Sequence, residues 1–133
     1  MARVNRVLLD TNAYTALMAG DGRIADELAR NEAILLSPIV VGELYDGFLN
    51  GTRSQQNRTI LSRFREKPRT LCVPITDTTA DWFAEIKRML RKKGRPIPIN
   101  DVWIAASCME HGARIISFDR HFAEIDGLLR WET

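Results

Sequence analysis

The chain has 133 residues, 45% of them hydrophobic and 27% charged, with a formal net charge of +2. That is the size and composition of one ordinary folded domain, and it excludes a disordered, collagen-like or low-complexity chain. A charge of +2 is too mild to argue for nucleic acid by itself, so the local clustering of cations carries that question.

The stretch from Val4 to Asn12 organises the rest. Its run Val7-Leu8-Leu9 is apolar without alternation, the pattern of a strand buried on both faces of a parallel sheet, and it ends on the carboxylate of Asp10. No N-terminal stretch has the form of a signal peptide and no segment approaches about 18 uninterrupted apolar residues, so a cytoplasmic protein is expected. Asn12 reads as the N-cap of a helix over Ala13 to Ala19, and a second helix follows from Arg23 to Arg30. Ala33 to Leu36 is the next buried strand. Ser37-Pro38, a cap residue and then proline at the first helical position, opens a helix to about Leu49. An amphipathic helix spans Thr52 to Lys67, and Leu71 to Val73 is the third strand. Cys72 there and Cys108 further on have neither CxxC nor zinc spacing, and read as reduced core residues.

From Thr78 to Lys93, Trp82, Phe83, Ile86, Met89 and Leu90 fall at spacings of three and four, the clearest helical period in the chain. Pro96 to Ile99 is an extended linker. Asn100 then caps a helix over Asp101 to His111, whose Val102 to Ala106 run is apolar nearly all round and so buried. Arg114 to Ser117 is a fourth strand, and Leu128 to Trp131 a fifth. Strands alternating with helices predict an α/β domain with a central, mostly parallel five-stranded sheet and helices on both faces, residues 1–133 forming one unit.

Four acids stand out on that scaffold. Asp10 follows the first strand, where open α/β sheets bind their ligands, although a plain turn acid is the simpler reading. Glu43 shares a helix face with Ile39 and Val40, so a carboxylate occupies the stripe that faces the core, the plainer alternative being a solvated acid at the edge of that stripe. Asp101 opens a buried helix, where the helix dipole favours an acid whatever its function. Asp119 follows the fourth strand and reads equally well as the cap of a short helix over Arg120 to Ile125. All four elements point to one sheet edge. Carboxylates gathered there raise each other's pKa, and a hard divalent cation, Mg²⁺ or Mn²⁺, resolves the conflict. His111 reads as a surface residue at a helix end, and His121 as a weaker ligand still. Such a site suits phosphodiester hydrolysis, with Asn12 and Ser117 as neutral supporting groups, Asn12 also reading as a simple cap.

The same residues carry a family resemblance. Asp10-Thr11-Asn12 after a hydrophobic strand, Glu43 within Ile39 to Leu44, Asn100-Asp101 before Ile104-Ala105-Ala106, and Ile116-Ser117-Phe118-Asp119 with Phe122 resemble the motifs of PIN-domain ribonucleases, in particular the VapC-type toxins of bacterial toxin–antitoxin pairs. The resemblance implies a PIN-like three-layer α/β/α fold and a metal site of Asp10, Glu43, Asp101 and Asp119, with Ser117 as the hydroxyl beside the fourth acid. It further implies Mg²⁺- or Mn²⁺-dependent endoribonuclease activity, a homodimer, and inhibition by a small VapB-type antitoxin. His121 departs from the pattern, since many such proteins have an acid just before the phenylalanine.

Lys87, Arg88, Arg91, Lys92, Lys93 and Arg95 form a basic run leading toward Asp101, a candidate for RNA phosphates or simply a solvated helix end. A looser basic region runs from Arg53 to Arg69. Trp82, Phe83 and Trp103 read as core or dimer contacts. The competing reading is a catalytically inactive PIN-like module that binds RNA or protein. A dinucleotide-binding domain is excluded, because no GxGxxG follows the first strand.

Overall fold

The computed structural model describes residues 5–132, so Val4 of the opening stretch lies outside the described residues. In strand β1 (Arg6–Leu9) Val7, Leu8 and Leu9 are all completely buried. Successive strand side chains point to opposite faces, so three buried in a row require cover on both sides. β2 (Ala33–Leu36) repeats the pattern and pairs with β1 in parallel, Val7 opposite Ile34. β3 (Thr70–Cys72), β4 (Arg114–Ile116) and β5 (Leu129–Arg130) complete a sheet of order β3-β2-β1-β4-β5. Every pairing in it is parallel, one step further than the expected mostly parallel sheet.

β3 begins and ends one residue earlier than expected, with Thr70 inward and opposite Ile34. It is an edge strand, so Cys72 is exposed rather than a core residue; Cys108 is fully buried, and burial pushes its thiol pKa up. Helices α1 (Thr11–Met18) and α2 (Gly22–Ala29) link β1 to β2, and α3 (Pro38–Leu49) and α4 (Ser54–Arg65) link β2 to β3. Helices α5 (Asp77–Lys93) and α6 (Ile99–Glu110) return the chain to the other side of β1. Their packing is sealed by Phe83 and Trp103, whose rings stack with centroids 4.0 Å apart. α6 buries Val102, Ile104, Ala105, Ala106 and Cys108, as its nearly all-round apolar run requires.

The chain leaves β1 toward β2 on one side and comes back to β4 on the other. The carboxyl ends of β1 and β4 therefore flank the topological switch point, where a crevice opens in sheets of this kind. Among the described residues no helix is long and apolar enough to cross a membrane.

Candidate metal centre

The junction between β1 and α1 is a single residue. Asp10 keeps an extended backbone, and its carboxylate accepts from the Ala13 amide at 2.8 Å, making it the N-cap. Asn12 is thus not the cap; it lies one residue inside the helix, exposed, on the wall of the crevice. The other Asp10 oxygen accepts a short hydrogen bond from the Ser117 hydroxyl just after β4. Ser117 Oγ in turn accepts from the Asp119 amide at 2.9 Å. Asp119 caps the short 3-10 turn Arg120–Glu124 by position only, because its side chain makes no capping hydrogen bond and lines the crevice.

A second set of hydrogen bonds joins the remaining acids. Glu43, half-buried on α3, accepts from the Thr11 hydroxyl and from the Asn100 amide, the latter at 3.2 Å. α6 starts at Ile99 behind Pro98, so Asn100 falls inside the first turn instead of capping it. Its side chain is then available to Glu43, while Asp101 occupies the first turn where the helix dipole favours an acid. The polar partners that a carboxylate on the core-facing stripe requires are thus Thr11 and Asn100.

All four acids line one crevice of about 480 Å³, with Asn12, Asn100 and His121 also in its wall. Among the described residues the tightest set of donors is Asp101, Asp119 and His121, whose ligand atoms lie within 4.8 Å of one another. Asp10 and Glu43 stand around that trio. His121 is therefore in the site, against the expectation that it is the weaker of the two histidines; the 3-10 turn brings residues 119 and 121 to the same side. His111, at the other end of α6, is half-buried rather than on the surface.

Burial is the main electrostatic influence on the site. It raises the pKa of Asp10 to about 6, against hydrogen bonds from Ser117 and Ala13 that lower it, with Asp119 and Asp101 adding smaller like-charge contributions. Asp101 is also raised, first by burial, with His121 acting in the opposite direction. Crowding of like charges is thus secondary to desolvation here. A cation among these groups reverses that cost, and the donors suit one. The carboxylate oxygens are hard, and the buried His121 Nε2 lies 2.7 Å from Asp101 Oδ2, on the same side as those oxygens.

The cations of the basic run differ in their partners. Lys93 is engaged by Asp126 at 2.6 Å and by the Glu124 carbonyl, and Arg88 approaches Glu85 at 3.9 Å. Arg95, with Arg120, lines a second groove that shares His121 with the crevice. Sequence reasoning did not single out Arg120, because an isolated arginine carries no motif. Thr11 stands in the Asp10-Thr11-Asn12 motif without a role of its own there, although its hydroxyl acts on an acid 32 residues away.

A match to the PIN domain family spans residues 7–128. Ribonuclease VapC5 of Mycobacterium tuberculosis is 28% identical over 120 residues, covering 90% of this chain and 87% of that protein. Ribonuclease VapC1 of Haemophilus influenzae strain R2866 is 27% identical over 130 residues, covering 94% and 95%. Among solved structures, VapBC-1 from nontypeable Haemophilus influenzae superposes with a TM-score of 0.85 at 25% identity over 96% of this chain and 97% of that one. VapBC2 from Rickettsia felis, bound to a DNA fragment from its promoter, gives 0.81 at 25% identity over 96% and 99%.

Proposed function

The chain belongs to the PIN domain family, and from that premise we propose that it is an endoribonuclease toxin of the VapC type, dependent on Mg²⁺ or Mn²⁺. Asp10, Glu43, Asp101 and Asp119 are its catalytic metal site. The observation that carries the reading is the convergence of these four acids, from four separate elements, on one crevice at the switch point. The ribonuclease names of the similar proteins support RNA as the substrate. The toxin–antitoxin complexes among the similar structures support a VapB-type antitoxin as partner. The whole chain is read as a single PIN domain, working in the cytoplasm as a homodimer.

The reaction hydrolyses a P–O bond of the RNA backbone: water supplies the hydroxyl to phosphorus and the proton to the departing ribose oxygen. The divalent cation supplies positive charge against the phosphate and a more acidic water. Asp10 is the anchor of the site, fixed by Ala13 and Ser117. Ser117 couples it to Asp119, so the two acids that follow β1 and β4 are held in register. Thr11 and Asn100 orient Glu43. Asn12, exposed in the wall, offers a neutral amide to a phosphate oxygen. Arg95 and Arg120 receive the flanking backbone, and the exposed Arg88, Arg91 and Lys92 of α5, with the half-buried Lys87, add to that field.

Incubation of total RNA with the purified full chain is the test, run with Mg²⁺ or Mn²⁺, with EDTA, and with Asp101→Asn. Discrete fragments that require both metal and Asp101 are expected. A folded, antitoxin-free protein that cuts nothing with either metal would support the inactive binding module instead.

A further inference from the structure

His121 is the residue in the crevice that an all-oxygen metal site does not account for. Its Nε2 lies 2.7 Å from Asp101 Oδ2 and 3.9 Å from Asp119 Oδ2. Nε2 is itself a buried atom, so it faces these carboxylate oxygens rather than open solvent. The ring is held in place by its neighbours: Phe122 beside it is completely buried, and its ring lies 5.0 Å from the imidazole. Two carboxylate oxygens and one imidazole nitrogen therefore converge within 4.8 Å of one another, the separation of donors that share a single ion.

Resting on the four-acid reading of this site, we propose that His121 donates Nε2 to the same divalent cation as Asp101 and Asp119, and that this nitrogen biases the centre toward Mn²⁺ over Mg²⁺. Mg²⁺ demands oxygen ligands in near-ideal octahedral geometry and keeps its waters. Imidazole is the softer donor, favoured by transition-metal ions, and Mn²⁺ accepts both it and carboxylates. Replacing the nitrogen by a carboxylate oxygen returns the site to the hard donor set that Mg²⁺ prefers.

The test is metal binding by the full chain, without RNA. Pulsed electron paramagnetic resonance of bound Mn²⁺ reads nitrogen-14 coupling, and titration calorimetry gives the affinities for Mn²⁺ and Mg²⁺. Wild type is expected to bind Mn²⁺ with directly coordinated nitrogen. His121→Gln is expected to lose that coupling and to bind Mn²⁺ more weakly than wild type. His121→Asp is expected to lose the coupling while binding Mg²⁺ more tightly than wild type. His111 cannot supply the signal, since it lies ten residues beyond Asp101 on the same helix, about 15 Å along its axis. Mn²⁺ bound without nitrogen coupling, or coupling that survives in His121→Gln, overturns the assignment of His121 and leaves the four acids standing. Failure of wild type to bind either ion overturns the metal centre itself.

Discussion

Asp10 is buried to 3% exposure in a place where its charged form is disfavoured, so its carboxylate destabilises the metal-free protein. Its pKa rises from an ordinary value of 3.8 in the unfolded chain to about 6 in the fold. Below pH 4 both forms are protonated and the penalty is absent. Between pH 4 and 6 the folded state holds a proton that the unfolded chain has released, so stability falls as pH rises. Above pH 6 the penalty is complete, at about 3 kcal/mol for a carboxyl raised from 3.8 to about 6. Asn at this position still accepts from the Ala13 amide and has no charge to desolvate. Asp10→Asn in EDTA is therefore expected to match wild type at pH 4 and to exceed it by up to about 3 kcal/mol at pH 7.5, measured by urea unfolding, while losing cleavage. A variant less stable than wild type at pH 7.5 would mean that the Ser117 hydrogen bond outweighs desolvation. At this scale Glu43 is legible in the sequence because it breaks a local rule on an apolar stripe, whereas Asp10, Asp101 and Asp119 stand where turns and helix starts favour acids and are legible only because their elements point to one sheet edge. His121 breaks none: a histidine in a polar loop looks ordinary until the 3-10 turn folds it back beside Asp119.

The helices matter through where they begin. α3 carries Glu43, and its start is fixed by Ser37, whose hydroxyl accepts from the Ile39 amide at 3.1 Å ahead of Pro38. Ser37→Ala removes that cap from a completely buried position and is expected to cost about 1 kcal/mol in urea unfolding. The same loss frees the first turn of α3, so cleavage falls through a misplaced Glu43 while RNA binding persists. A variant as stable as wild type would show that packing alone sets the start of α3. The element order was readable from apolar runs and helical periods, and so was the Ser37-Pro38 start, where residue type determines backbone. Helix starts at Asp10 and Pro98 were not, because each cap is decided by the length of the connection before it. A one-residue junction forces Asp10 to end the strand and cap the helix together. The edge position of β3, which exposes Cys72, depends on sheet order and has no local signal at all.

Across the whole molecule, +2 is a small charge spread unevenly. Two cations of the Arg53 to Arg69 region are held by the fold itself: Arg58 lies over the Tyr45 ring at 3.8 Å, and Arg69 donates to the Leu28 carbonyl at 3.0 Å. On the crevice side, Arg95 and Arg120 are exposed, line a groove contiguous with the acids, and have no acid partner among the described ion pairs. A polyanion meeting this surface is attracted to the groove and repelled by the metal-free acids beside it, so on the proposed reading RNA held in the groove runs alongside the four acids. Each phosphate neutralised on a single strand contributes about 0.7 to the slope of log affinity against log salt. In an Asp101→Asn background, which keeps RNA intact, Arg95→Gln with Arg120→Gln is expected to reduce that slope by about 1.4. Arg63→Gln with Arg65→Gln, exposed on α4 away from the crevice, is expected to leave it unchanged. Equal loss from both pairs would mean that RNA is held by diffuse charge. Loss from the α4 pair alone would carry the RNA across the other face of the molecule, and the groove beside His121 would then need a different occupant.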